Sequence, residues 1–273
     1  MEAGVYVDVH IPEAARAHMR PISQLAPAQG AWQWERLSYG MELCSFASAD
    51  GRLAWHLLRI DLASGAFCVR GVPGAAQFCA DGSVTGVYVR DIAREPRVAA
   101  AVNASPYDYA RGVFSALRRP VGLYMTDGVL LSAPAARYGA VWFARRDGVW
   151  TADVLLSQTD AVPSDAACVF GGFMPVLADG AVLAMSGYSL DSRICVGVDE
   201  SKTQVFILAA EKPFLRQGGA SFEECAYIIA AAGAVRAVQL DGGSSSALYA
   251  AGRRIWASRP ARRAANAIVF VSR

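Results

Sequence analysis

Apolar and polar residues alternate over short runs along this chain far more often than they recur at helical spacing, which predicts a protein built mainly of strands. Residues 41–47 and 52–62 read as a hairpin closed through Asp50-Gly51, Asp-Gly being the strongest short turn signal. The dipeptide recurs at Asp81-Gly82, Asp127-Gly128, Asp147-Gly148 and Asp179-Gly180, each between apolar runs, so much of the chain is expected to form antiparallel hairpins. Trp32 and Trp34 alternate with polar neighbours, as in a strand. Residues 98–102 and 267–271 read as further strands, and residues 247–250 with 254–257 as another hairpin.

Helical signals are few. Residues 89–97 predict a short helix. The clearest helix starts at Ser221, whose hydroxyl caps while Glu224 reaches back, with Phe222, Cys225, Ala226 and Ile229 on one face and Gly233 placed as a C-terminal cap. Residues 1–30 carry prolines at 12, 21 and 27 and one short helical patch, so they read as an extension leaning on a single domain, 31–273. The sum is an α+β fold, mainly antiparallel or mixed sheet with a few helices packed on it.

The predicted helix feeds the apolar run 235–240, which stops at Asp241 and gives way to Gly242-Gly243-Ser244-Ser245-Ser246. Open sheets place ligand sites at such strand ends. Gly242 and Gly243 let a ligand approach the main chain, and Ser244, Ser245 and Ser246 bring small hydroxyls beside backbone N–H groups, a combination suited to an oxyanion. Asp241 stands at the lip as a lone carboxylate. An ordinary Asp-Gly-Gly-Ser turn has the same composition.

The stretch Leu240-Asp241-Gly242-Gly243-Ser244-Ser245-Ser246 resembles the Asn-Leu-Asp-Gly-Gly-Gly-Ser-Ser signature of the phosphodiester glycosidases. In the same order along the chain, residues 101–107 are similar to that family's Ile-Asn-Gly-Gly-Phe-Phe stretch, and residues 192–197 to its Arg-Thr-Ala-Ile-Gly stretch. Gln239 stands where the family has Asn, Ser244 replaces a glycine, and Ala104, Ser105 and Pro106 replace the core of the Asn motif. The resemblance implies a hydrolase that cleaves a sugar, N-acetylglucosamine in the animal enzyme, from a phosphodiester, and a bacterial member working outside the cytoplasm on a glycan or wall polymer.

The chemistry implied is distinctive. A phosphate monoester leaves as a stable anion, so strong acid assistance is less necessary than for an alkoxide. A clamp for charge is needed instead, and Arg193 is the candidate, facing Gly242, Gly243, Ser244 and Ser245. A carboxylate near the anomeric carbon serves as nucleophile or as base for water. Asp241 is the first choice, with Asp108 and Glu211 behind it. Asn103 offers a donor and an acceptor to a sugar hydroxyl or to water, and Tyr107 and Tyr109 offer rings to a sugar face.

Composition narrows the alternatives. Of 273 residues 54% are hydrophobic and only 18% charged, with a net charge of +2, so the chain carries no field for a nucleic-acid partner. The six cysteines lack Cys-x-x-Cys spacing, and the three histidines fall early, which predicts no metal centre and no cofactor, although a hard cation held by carboxylates stays compatible. No apolar run is long enough to span a bilayer, and the first residues lack a signal-peptide pattern, so a soluble chain is expected. Oligomeric state is left open. A sugar- or phosphate-binding module without turnover is the alternative reading, supported by the departures at Gln239, Ser244 and residues 104–106. A serine hydrolase through Ser244 or Ser245 fits poorly, because no histidine follows His56.

Overall fold

The computed structural model describes residues 9–28, 30–187, 189–213 and 218–273, which leaves the first eight residues of the expected extension outside the described residues. Every named strand pairing is antiparallel. An eight-stranded sheet runs in the order Glu35–Ser38, Met41–Ala47, Ala54–Asp61, Gln204–Glu211, Arg193–Val198, Arg236–Gln239, Pro175–Ala178, Ala181–Val182. A five-stranded sheet takes Arg253–Ala257, Ala247–Ala250, Val98–Asn103, Ala267–Ser272 and Phe67–Val72. A second five-stranded sheet and a three-stranded one, the latter containing Tyr107–Tyr109, complete the strands. The architecture is therefore sheet-dominated, and helix is a minor component of the expected α+β mixture.

Strand alternation sorts the core into two layers. Ile194, Val196 and Val198 point inward with Leu58 and Ile207, against Val102, Leu248 and Phe270 of the five-stranded sheet and Phe143 and Phe170 of the second one. Cys195, Leu208 and Ala210 point to the opposite face, where the helix Phe222–Ala231 packs through Cys225, Ile228 and Ile229. Gly197 is required there, because a Cβ would stand 2.8 Å from Ile229 Cδ1 and 2.9 Å from Ala234 Cβ.

The helix begins as its sequence predicts. Glu224 N donates to Ser221 Oγ at 3.1 Å, and Ser221 N donates to Glu224 Oε2 at 3.0 Å. Both Glu223 and Glu224 are nevertheless fully buried, because the 9–28 segment lies over them: Arg20 grips Glu224, and His18 Nδ1 lies 3.0 Å from Glu223 Oε1.

Three local expectations need correction. Trp32 and Trp34 sit outside any strand. Their rings stack 6.1 Å apart, and Trp32 lies 5.5 Å from Trp55, so their alternation reports a shared apolar contact without a ladder. The predicted helix 89–97 is only Val89–Ile92, since Arg97 takes a left-handed φ of 66° just before the strand Val98–Asn103. Asp81-Gly82 closes a single bridge between Phe78 and Val84, whereas Asp127-Gly128, Asp147-Gly148 and Asp179-Gly180 adopt the paired positive φ of tight hairpins.

Candidate functional site

The loop after Arg236–Gln239 stitches the two large sheets together. Leu240 N donates to Ile194 O at 2.8 Å, continuing the eight-stranded sheet, and Gly243 N donates to Ser192 O at 2.7 Å. Between them Asp241 N crosses to Ala104 O of the other sheet at 2.8 Å. Asn103 locks the crossing: its Nδ2 donates to Asp241 O at 2.6 Å, and its Oδ1 accepts from Ala247 N at 2.8 Å. Beside it Asn266 accepts from Ser105 N at 2.8 Å and donates to Ser105 Oγ at 3.0 Å. The segments bearing Asn103, Arg193 and Asp241 thus meet at one end of the fold, and Gly242 is tightly placed there, since a Cβ would stand 2.8 Å from Ser192 O.

At this junction the Asp241 carboxyl group is held in an unfavourable setting for charge. Oδ2 is enclosed and has no hydrogen-bond partner. Burial pushes its pKa up to about 7, although the Ser245 hydroxyl, the Gly242 amide and the positive charge of Arg262 each draw it partway back. The Tyr107 phenol is pushed up by its own burial and by the Asp241 and Tyr109 charges, while hydrogen bonding to Ser245 and the nearby Arg118 act the other way. Ser245 therefore lies between the Tyr107 hydroxyl and the Asp241 carboxylate. Arg118 packs its guanidinium over both tyrosine rings, 5.0 Å from Tyr107 and 4.4 Å from Tyr109.

Other residues named from sequence take different places. Arg193 is buried, and two of its three guanidinium nitrogens are bonded to the protein: Nε donates to Ala220 O at 3.1 Å, Nη2 donates to Ser189 O and Oγ at 2.8 Å each, and Phe222 lies 4.0 Å beneath. These contacts brace the chain around Ser192, and they leave Nη1 without a bonded partner among the described residues. Asn103 is fully buried, with one bond at each end of its amide.

Asp108 is exposed on the face of Tyr107–Tyr109 opposite the tyrosines, as alternation requires, and does not join Asp241. Glu211 is hydrogen-bonded to His56 Nε2 at 2.7 Å, with Ser45 Oγ 2.8 Å from His56 Nδ1, and its strand is separated from that of Asp241 by Arg193–Val198. The expected row of free backbone donors is also altered. Gly243–Ser245 closes as a 3₁₀ turn, so the N–H groups of Gly243, Ser245 and Ser246 serve Ser192, Gly242 and Gly243 carbonyls. Ser244 remains exposed, while Ser245 and Ser246 are buried.

Sequence reasoning missed Arg262 and Asn266. They lie in 262–266, Arg-Arg-Ala-Ala-Asn, where the signal was polar residues immediately preceding the apolar run 267–271. Among the described residues, no group of three or more His, Cys, Asp or Glu side chains converges to hold a metal, and no helix is long and apolar enough to cross a membrane.

Three solved structures share the fold. A hypothetical protein of Synechocystis superposes with a TM-score of 0.61 at 17% identity, over 91% of this chain and 64% of that one, so this chain spans less than two thirds of that protein. The catalytic domain of zebrafish N-acetylglucosamine-1-phosphodiester alpha-N-acetylglucosaminidase, auto-inhibited by its pro-peptide, gives 0.63 at 14% identity, over 92% of this chain and 86% of that one. A Burkholderia pseudomallei protein named as a candidate for export gives 0.63 at 13%, over 80% and 74%. These identities speak to the fold alone. Comparison with curated proteins gave no match. The family model for phosphodiester glycosidases matches residues 96–271, a span that takes in the Asn103, Arg193 and Asp241 segments and more than half of the sequence. With that segment matched and those three strand ends stitched into one site, the chain belongs to the phosphodiester glycosidase family.

Proposed function

We propose that the protein hydrolyses a sugar-1-phosphodiester, with Asp241 as the base that activates water at the anomeric carbon. The observation that carries this reading is the enclosed, unpartnered Asp241 oxygen on a carboxyl group whose pKa is pushed up to about 7. A carboxylate with so raised a pKa is a stronger base than an exposed aspartate, and its pKa lies near neutrality, where proton transfer is most efficient.

In the step proposed, water oxygen bonds to the anomeric carbon as the bond from that carbon to the phosphate oxygen breaks. The water proton passes to Asp241, and the phosphate monoester departs as an anion without protonation. One carboxylate suffices for this route. Tyr107, whose hydroxyl adjoins Ser245, supplies an aromatic wall for the sugar, and Arg118 fixes that wall from behind. Asn103 and Arg193 act as braces for Asp241 and for the strand end at Ser192. Family membership supports a setting outside the cytoplasm and a substrate in a glycan or wall polymer.

The test is turnover of sugar-1-phosphodiesters by the parent and by Asp241→Asn. The parent should release sugar and phosphate monoester, with a rate that climbs as pH rises through about 7, and the variant should lose activity by about 10²-fold or more. Sugar binding without turnover in the parent would instead establish a binding module.

A further inference from the structure

The hairpin that carries Tyr107 and Tyr109 ends in an apolar point. Tyr107–Tyr109 pairs with Leu117–Pro120, and the connection between them, 110–116, reads Ala-Arg-Gly-Val-Phe-Ser-Ala. Phe114 has its whole side chain in solvent, at 102% exposure, and Val113 is 65% exposed. No other large hydrophobic residue among those described is as exposed as Phe114. The loop is held by its own bonds all the same. Ser115 N donates to Gly112 O at 3.0 Å, Leu117 N donates to Ser115 Oγ at 3.0 Å, and Arg118 Nη1 donates to Ser115 O at 2.6 Å. A phenyl ring is thus presented to water from a fixed point, although its hydration is unfavourable.

Arginines surround that point. Arg111 is exposed in the loop itself and takes part in none of the ion pairs among the described residues. The neighbouring segment 259–263, Arg-Pro-Ala-Arg-Arg, adds three arginines and no acid. Gly86 joins the two: its N donates to Ala116 O at 2.9 Å, and its O accepts from Arg263 Nη1 at 2.8 Å. Arg259 and Arg262 are exposed, and neither takes part in the ion pairs among the described residues. Of the carboxylates in the same stretches, Asp81 lies 3.6 Å from Arg119 and Asp91 3.3 Å from Arg90, which leaves Asp108 on the hairpin to oppose them. Positive charge therefore collects here in a chain whose net charge is only +2.

An apolar point ringed by arginine suits one kind of partner. A stable protein interface covers roughly 800 Å² on each side, more than two side chains at a loop tip supply. A lipid surface asks for less, since a ring and an aliphatic side chain enter the acyl boundary while arginines stay level with anionic headgroups. We infer that the Val113-Phe114 tip, with Arg111, Arg259 and Arg262 around it, docks the protein reversibly on an anionic lipid surface. Docking does not depend on turnover. Tyr107 stands at the foot of the same hairpin, so a docked protein carries the Asp241 junction with it to the membrane.

Co-sedimentation of the full chain with vesicles of phosphatidylglycerol and phosphatidylcholine in equal parts tests this. The parent should bind them, bind vesicles of phosphatidylcholine alone about tenfold more weakly, and come off as salt is raised. Phe114→Ser should weaken binding by about tenfold, and Arg111→Gln by several-fold. Both side chains lie in solvent, so both variants should melt as the parent does. Tyr39→Ser, which removes a 65% exposed ring from the turn between Glu35–Ser38 and Met41–Ala47, should bind as the parent does.

No binding of the parent to the mixed vesicles would overturn the inference. Binding that Arg111→Gln weakens and Phe114→Ser leaves unchanged would overturn it too, by reducing the effect to adsorption of a basic surface. So would an equal loss in Tyr39→Ser and Phe114→Ser. A lipid-free dimer that Phe114→Ser dissociates, seen by sedimentation velocity, would assign the tip to a second copy of the chain instead.

Discussion

Asp241→Asn should make the protein more stable at neutral and alkaline pH while removing its activity. In the folded chain the carboxyl pKa rises from 3.8 to about 7, so ionising Asp241 opposes folding. The sign follows from linkage. A carboxyl whose folded pKa is raised favours the folded state most below its unfolded pKa, and that advantage is lost as pH rises from about 3.8 to the folded value. Three units at about 1.4 kcal/mol each give an upper limit of about 4 kcal/mol. Water entering the half-buried site should reduce the realised value to about 2–3 kcal/mol. Asparagine keeps the shape and removes the charge, so it escapes this penalty. Urea unfolding of parent and variant at pH 5 and pH 8 measures it, because more than half of the effect develops between those values. The variant's advantage should grow with pH by about 1–2 kcal/mol, or a few degrees in melting temperature. A stability difference that does not change with pH would refute the argument, and with it the premise that Asp241 is enclosed.

Three further outcomes separate bracing from chemistry. Arg193→Ala removes three hydrogen bonds and the stack on Phe222, and should destabilise by about 2–4 kcal/mol in urea unfolding; an unchanged midpoint would refute the brace. Asn103→Ala leaves the Asp241 carbonyl and the Ala247 amide without partners and should cost about 2–5 kcal/mol, whereas Asn103→Asp keeps the acceptor for Ala247 and should cost less, unless charge burial dominates. Equal losses in the two variants would count against the two-ended brace. Gly242→Ala should cost more than Gly243→Ala, because a Cβ at Gly242 meets Ser192 O at 2.8 Å, whereas at Gly243 the nearest atom is 3.7 Å away and only the left-handed φ of 57° resists, worth about 1 kcal/mol. Thermal melts of the two variants decide it.

Much of the fold was legible because turn chemistry is local. Asp127-Gly128, Asp147-Gly148 and Asp179-Gly180 close hairpins for a reason contained in two residues, and Ser221 with Glu224 caps a helix for a reason contained in four. What failed depended on contacts across the chain. Trp32 and Trp34 show a strand's alternation, yet without a neighbouring edge they only stack on Trp55. The burial of Glu223 and Glu224 could not be foreseen from a helix whose first turn is acidic, because the compensating His18 and Arg20 arrive from about two hundred residues away. The site divides the same way. Asp241 was visible as the last residue of an apolar run before a glycine pair. The contacts of Asn103 and Arg193 were not, since the same side chains suit a ligand or a carbonyl, and nothing near them in sequence announces Asp241 O, Ala247 N and Ala220 O as partners.

That division bears on how the site works. A carboxyl group kept poorly solvated near neutrality needs a backbone that cannot relax to expose it, because a small outward movement would hydrate Oδ2 and return its pKa toward 3.8. The braces oppose such movement from three directions: Asn103 through the Asp241 carbonyl, Ala104 through the Asp241 amide, and Ser192 through Gly243. Residues buried with every polar end satisfied therefore serve the chemistry by fixing its electrostatics, although they touch no substrate in the reading proposed. Asp241 Oδ2 is enclosed without a partner in this loop, as are Gln239 Oε1 and Ser246 Oγ near it in sequence. A chain selected only for stability would pair such groups. The persistence of an unpaired Asp241 oxygen in so well-braced a loop is the physical reason for placing water activation at this carboxyl group.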